Sequence, residues 1–102
     1  MEIQTLIKNQ ITENNVVLYM KGTPESPQCG FSQVAVKLLQ KHQVEFFSVN
    51  VLENPELREG VKQFANWPTF PQLYVKSELV GGCDILREME ASGELATLFA
   101  AS

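Results

Sequence analysis

The stretch Val16-Val17-Leu18-Tyr19-Met20 leaves this chain few folds to choose from. It is apolar on both faces of a strand, so it requires a central place in a sheet with helices above and below. Lys21-Gly22-Thr23-Pro24 follows, and the loop runs into Gln28-Cys29-Gly30-Phe31-Ser32. Phe31, Val34, Ala35, Leu38 and Leu39 then recur at helical spacing and read as the apolar stripe of a helix. Cys29 therefore stands at or just before a helix N-terminus, where unsatisfied N–H groups and the positive dipole end favour an anionic sulfur. A thiolate so placed serves as a nucleophile or as a metal ligand.

Position 32 decides which chemistry is open. A Cys-x-x-Cys here would read as a dithiol redox motif, but Ser32 stands where the second cysteine would be. A hydroxyl can take part in a hydrogen bond, yet it cannot resolve a mixed disulfide. The site must borrow its second thiol from elsewhere.

The rest of the chain supplies the layers that the central strand demands. Ile3, Leu6, Ile7 and Ile11 share one face of a helix that Asn14-Asn15 ends. Val44–Val51 has the content of a second strand, which returns parallel to the first through the Cys29 helix. Asn54-Pro55 starts a third helix, with Asn as cap and Pro at the first position. Leu57, Val61 and Phe64 face its core side, and Arg58 and Lys62 stand one turn apart on another face. Trp67-Pro68-Thr69-Phe70-Pro71 is extended, because each proline excludes helix from its predecessor. Gln72–Val75 and Glu78–Val80 form a hairpin around Lys76-Ser77, a turn without the usual Asn-Gly or Asp-Gly. Gly81-Gly82-Cys83-Asp84 makes a corner with Asp84 as cap of a last helix, which Gly93 interrupts before Leu95, Leu98 and Phe99. The order fits an α/β fold, a four-stranded mixed sheet flanked by helices on both faces.

Composition narrows the setting. The 102 residues suit one domain, 1–102, with 44% hydrophobic and 20% charged residues. A net charge of -4 argues against nucleic acid and membrane surfaces as partners. Two cysteines are too few for a secreted disulfide framework, so a reducing compartment is expected. Met1-Glu2-Ile3-Gln4 shows no leader, which points to the cytoplasm or to an organellar form whose leader has been trimmed. No apolar run approaches the ~20 residues of a membrane span.

Cys29-Gly30-Phe31-Ser32, Trp67-Pro68-Thr69-Phe70-Pro71-Gln72 and Gly81-Gly82-Cys83-Asp84, in this order and spacing, resemble the monothiol glutaredoxins of the CGFS type. The resemblance extends from Val16 to the last helix. It departs from the family's habit at Lys76-Ser77, where Gly or Asn is commoner, and at Leu79, where an aromatic is frequent. It implies the thioredoxin fold, a glutathione site and a [2Fe–2S] cluster held between two subunits for transfer to other proteins. It also implies BolA-type proteins and iron–sulfur recipient apoproteins as partners.

The site residues follow from this match. Cys29 is the reactive thiol and the metal ligand. Lys21, Arg58 and Lys62 are cations for the ligand's carboxylates, although Lys62 also fits a solvated helix face. Thr69, Phe70 and Pro71 match a cis-proline loop whose Phe70 backbone faces the cysteinyl part of glutathione. Gly82, Cys83 and Asp84 offer backbone N–H groups at a helix start. Cys83 reads as a structural or backbone contact rather than a reactive thiol. Trp67 reads as a partly exposed wall, and His42 as a surface residue at a helix end. Four cluster ligands would come from one Cys29 and one glutathione thiolate on each of two chains, which makes the holo form a homodimer. The other function open to these residues is glutathione-dependent thiol–disulfide exchange, deglutathionylation with Cys29 as nucleophile, expected to be slow.

Overall fold

Every residue of the first strand, β1 (Val16–Met20), is buried, and the sheet is built outward from it. The structure is a computed structural model that describes residues 2–101; Met1 and Ser102, the ends of the expected domain, lie outside the described residues. β1 pairs in parallel with β2 (Phe47–Asn50) and antiparallel with β3 (Gln72–Val75). β3 carries β4 (Glu78–Gly81) on its outer side, giving the order β2-β1-β3-β4. Alternate β1 side chains enter two cores. Val17 and Tyr19 meet Ile7, Ile11, Leu57 and Val61 of α1 (Ile3–Glu13) and α3 (Pro55–Ala65). Val16, Leu18 and Met20 meet Ala35, Val36, Leu39, Leu86 and Leu95 of α2 (Gly30–Lys41), α4 (Cys83–Ser92) and α5 (Glu94–Ala100). Helices cover both faces of a four-stranded mixed sheet, as the apolar run requires.

Local chemistry sets most boundaries. The Asn14 side chain donates to Gln10 O at 2.9 Å and closes α1. Asn54 caps α3 by accepting from Leu57 N–H at 3.1 Å, with Pro55 at the first position. Gly93, at φ 85°, is the left-handed residue that separates α4 from α5. The Lys76-Ser77 turn has positive φ at both residues, 51° and 69°, as a primed hairpin turn needs. Neighbours hold it in place of glycine: Lys76 N–H donates to Asn15 O at 2.8 Å, and the Lys76 ammonium to Ala101 O at 2.6 Å.

Four expectations need correction. β2 spans four residues rather than 44–51, because β1 offers partners only to Phe47–Asn50. Val44 and Phe46 pack against the α2/α4 core without pairing, and Val51 opens a 3-10 turn, Val51–Glu53. The inward stripe of α2 is Ser32, Ala35, Val36 and Leu39, so Phe31 points out and is 56% exposed. Phe64, at the last turn of α3, is 40% exposed and rests its ring 6.3 Å from that of Tyr74. His42 is no open surface residue: its side chain is 17% exposed, its Nε2 lies 2.7 Å from Glu90 Oε1, and its ring faces Phe99. Glu90 belongs to α4, so nothing local to His42 announced it.

Two outcomes are expected. A methyl at Gly60 would stand 2.4 Å from Ile3 Cγ2 and 3.2 Å from Ile7 Cδ1, where α3 crosses α1. Overpacking costs about 1–3 kcal/mol, against a helix-propensity gain of about 0.5–1 kcal/mol. Gly60→Ala should therefore lower stability by roughly 1 kcal/mol, read from the urea midpoint. The second outcome concerns acid. Hydrogen bonds from Lys41 and then His42 hold the Glu90 carboxyl below its ordinary value of 4.5. A carboxyl depressed in the folded state stabilises above its unfolded pKa and gives that up as pH falls through the folded one. Glu90→Gln should melt below wild type at neutral pH, and the gap should close as pH drops beneath about 4.5.

Candidate functional site

The strand β1 ends by handing its backbone to two side chains. Lys21 N–H donates to Ser32 Oγ at 3.1 Å, and Gly22 N–H donates to Asn50 Oδ1 at 2.9 Å. The loop that follows folds on itself. Gly22 bridges Pro27, Thr23 and Ser26 exchange backbone bonds of 3.3 and 3.0 Å, and Gln28 N–H returns to Lys21 O at 2.9 Å. Gly22 has φ 94°, and a Cβ there would sit 2.6 Å from Gln28 N and Ser26 O. Only glycine closes this loop. Cys29 emerges from it as the N-cap of α2, half-buried and free of any disulfide.

A cleft of about 440 Å³ opens beside Cys29, within the range of small-molecule sites. Lys21, Cys29, Arg58, Lys62, Thr69, Phe70, Pro71, Gly82, Cys83 and Asp84 all line it, drawn from β1, α2, α3, the α3–β3 loop and the β4–α4 corner. Phe31, Trp67, Pro68 and Ile85 complete the wall. Phe31 reaches the cleft because it does not face the core. The Phe70–Pro71 bond is cis, and the described residues supply no hydrogen-bond partner to the Phe70 backbone N–H or C=O. Such groups are free to pair with a ligand.

Charge is arranged around the same opening. Lys62 pairs with Glu59 at 3.1 Å, whereas Lys21 and Arg58 make no ion pair among the described residues. Asp84 corrects one expectation: α4 begins at Cys83 with Gly82 as its cap, so Asp84 lies in the first turn, exposed, and caps nothing. Neither α2 nor α4 has a side-chain cap. Two helix N-termini with unsatisfied N–H groups therefore border one cleft. Cys83 is 7% exposed. Burial pushes its thiol above the ordinary value; Arg87 opposes that rise, and Asp84 and Cys29 add to it.

Two donors of residues that line the cleft, Arg58 Nε and Trp67 Nε1, are buried without an acceptor among the described residues. Native structures leave few such groups. A Cβ on Gly82 would meet Pro71 O at 3.1 Å and Trp67 Nε1 at 3.7 Å, so this corner is already at its closest approach. The supporting residues Ser32, Asn50 and Gln72 were not singled out from sequence as holding the site. Their signal was a polar residue inside an apolar pattern.

Ser32 is fully buried, so its hydroxyl is structural as well as chemical. Ser32→Ala would leave Lys21 N–H without an acceptor and should lower stability by about 1–3 kcal/mol. Urea unfolding of the variant, with far-UV dichroism as control for the fold, measures this directly.

Comparison with known proteins places the chain. The family model described as Glutaredoxin matches residues 16–80. "Glutaredoxin 4" of Haemophilus ducreyi is 55% identical, over 96% of this chain and 92% of that protein. "Monothiol glutaredoxin-5, mitochondrial" of Saccharomyces cerevisiae is 54% identical, over 95% of this chain and 67% of that protein. The solution structure of reduced poplar apo GrxS14 superposes with a TM-score of 0.84 at 48% identity, covering 97% of this chain and 91% of that one. With its four-stranded mixed sheet on the thioredoxin plan and Ser32 in place of a second cysteine, the chain belongs to the glutaredoxin family, among its monothiol members.

Proposed function

We propose that the chain binds glutathione in the cleft beside Cys29 and carries a [2Fe–2S] cluster for delivery to other proteins. One observation carries the reading: the half-buried Cys29 opens onto a cleft bordered by two uncapped helix N-termini and by the unpaired Lys21 and Arg58. Glutathione has two carboxylates, an extended backbone and one thiol. Lys21, Arg58 and Lys62 suit one carboxylate, and the N–H groups of Cys83 and Asp84 beyond Gly82 suit the other. Thr69, Phe70 and Pro71 present backbone to the cysteinyl part.

The cluster is cargo in this reading. Among the described residues no three His, Cys, Asp or Glu side chains converge on one point, and a cluster takes four ligands. Cys29 from each of two chains and two glutathione thiolates make up that number, so the dimer forms around the cluster and disperses with it. Half of the ligands are then dissociable, which suits delivery. BolA-type proteins and recipient apoproteins are the partners that the proposal includes, with residues 1–102 acting as one domain. Residence in the cytoplasm is also proposed, although the yeast relative's name places that protein in mitochondria. Among the described residues no helix is long and apolar enough to cross a membrane.

Deglutathionylation is the second reading. Position 32 offers no thiol, and in this reading free glutathione releases the mixed disulfide formed at Cys29.

Anaerobic reconstitution with iron, sulfide and glutathione, followed by visible spectroscopy and light scattering, tests the carrier. Coloured dimer should form with glutathione, bleach as glutathione is dialysed away, and fail to form with Cys29→Ser. A coloured dimer that persists without glutathione would overturn the reading. Arg58→Ala should weaken glutathione binding by about 1.5–3 kcal/mol in calorimetry, the range for hydrogen bonds to a charged group, with little change in stability.

A further inference from the structure

Gln72 is a polar side chain with no exposure, at the first position of β3 and opposite Tyr19. Burying an amide is costly unless its N–H and C=O groups are paired, and here both ends are used. Its Nε2 donates to Trp67 O at 3.1 Å and to Thr69 O at 3.2 Å. The Tyr74 hydroxyl donates to its Oε1 at 3.1 Å. The two amide hydrogens thus straddle Pro68 and tie the backbone on either side of it.

The two loop carbonyls settle which end of the amide faces them. Turned over, the amide would set its oxygen against two carbonyl oxygens, whereas the Tyr74 hydroxyl, donor and acceptor alike, would tolerate either end. Tyr74 is itself packed edge-on against Tyr19, ring centroids 5.8 Å apart. Burial pushes its phenol up to about 12, and its hydroxyl donates to the amide oxygen. Among the described residues, the other hydrogen bond of the segment 67–70 runs from Trp67 N–H to Lys62 O at 3.1 Å. Beyond Trp67, the Gln72 amide is what the loop has.

We propose that Gln72 is a positioning residue for the cleft: its buried amide, its oxygen satisfied by Tyr74, holds the Trp67–Phe70 arch where the Thr69 and Phe70 backbone meets the ligand. The inference rests on the glutathione reading for the identity of that ligand.

Trp67 is the one tryptophan in the sequence, so its fluorescence reports the arch without a label. Gln72→Met keeps much of the side chain's length and bulk but removes both donors. The folded variant should show red-shifted Trp67 emission and stronger acrylamide quenching, with far-UV dichroism unchanged. Glutathione binding should weaken roughly tenfold, the scale of one or two lost hydrogen bonds. Tyr74→Phe keeps the donors but leaves the buried amide oxygen without its partner and the amide less firmly held, and should move both readouts the same way by a smaller factor, about threefold in affinity. Wild-type emission and quenching in folded Gln72→Met would overturn the proposal, and so would a loosened Trp67 with undiminished affinity. Should Gln72→Met not fold, unchanged emission and affinity in Tyr74→Phe overturn it. A wild-type chain that binds no glutathione refutes the proposed function, and Trp67 emission then decides alone whether Gln72 holds the arch.

Discussion

β1 has neither a free face nor a free edge. It is paired on one side by β2 and on the other by β3, and its side chains enter two separate cores. Any tilt of this strand would disturb both cores at once, so its end is the best-defined point in the molecule. The functional features are hung from that end. Lys21 and Gly22 are seized by Ser32 and Asn50 as soon as they leave the sheet. The closed loop then measures a fixed distance to Cys29. The position of the thiol thus derives from the burial of five apolar residues rather than from anything the thiol itself contacts.

The same end of the sheet concentrates the cations of an otherwise acidic chain. The net charge is -4, yet Lys21, Arg58 and Lys62 share one opening with two helix N-termini. A positive cleft in a negative body attracts small anions and repels acidic macromolecules. Part of its wall is less polar: Phe31, Ile85 and Trp67 line it beside Thr69 and Phe70. A peptide-like anion with a short extended chain matches both halves of this description.

What was legible in the sequence was whatever a local pattern could state. Two-faced apolarity of Val16–Met20 announced the central strand. Asn54-Pro55 announced α3, and the family resemblance carried by three short motifs announced the residues around the cleft. Other features depend on partners distant in sequence. Phe31 fits the helical stripe as well as Ser32 does badly, and only the Lys21 backbone explains why the serine goes inside. Asp84 is an ordinary cap residue, but the helix starts one position before it. The length of β2 is decided by β1, and His42 is drawn inward by Glu90. Gln72 looked like the polar start of a strand until the carbonyls of Trp67 and Thr69 stood over it.

The cleft is assembled from segments spread from Lys21 to Ile85, and this has a bearing on biosynthesis. A nascent chain that has released only its first half contains Cys29 and its loop, but lacks the Thr69–Pro71 edge and the α4 N-terminus. Chains emerge at about 5–20 residues per second, so Cys29 is outside the ribosome for several seconds before the walls that shelter it. During that interval it is an ordinary cysteine, and the ligand has nothing to hold. On the proposed function, loading is therefore a property of the finished chain, and occupancy of the cleft certifies that folding has reached α4.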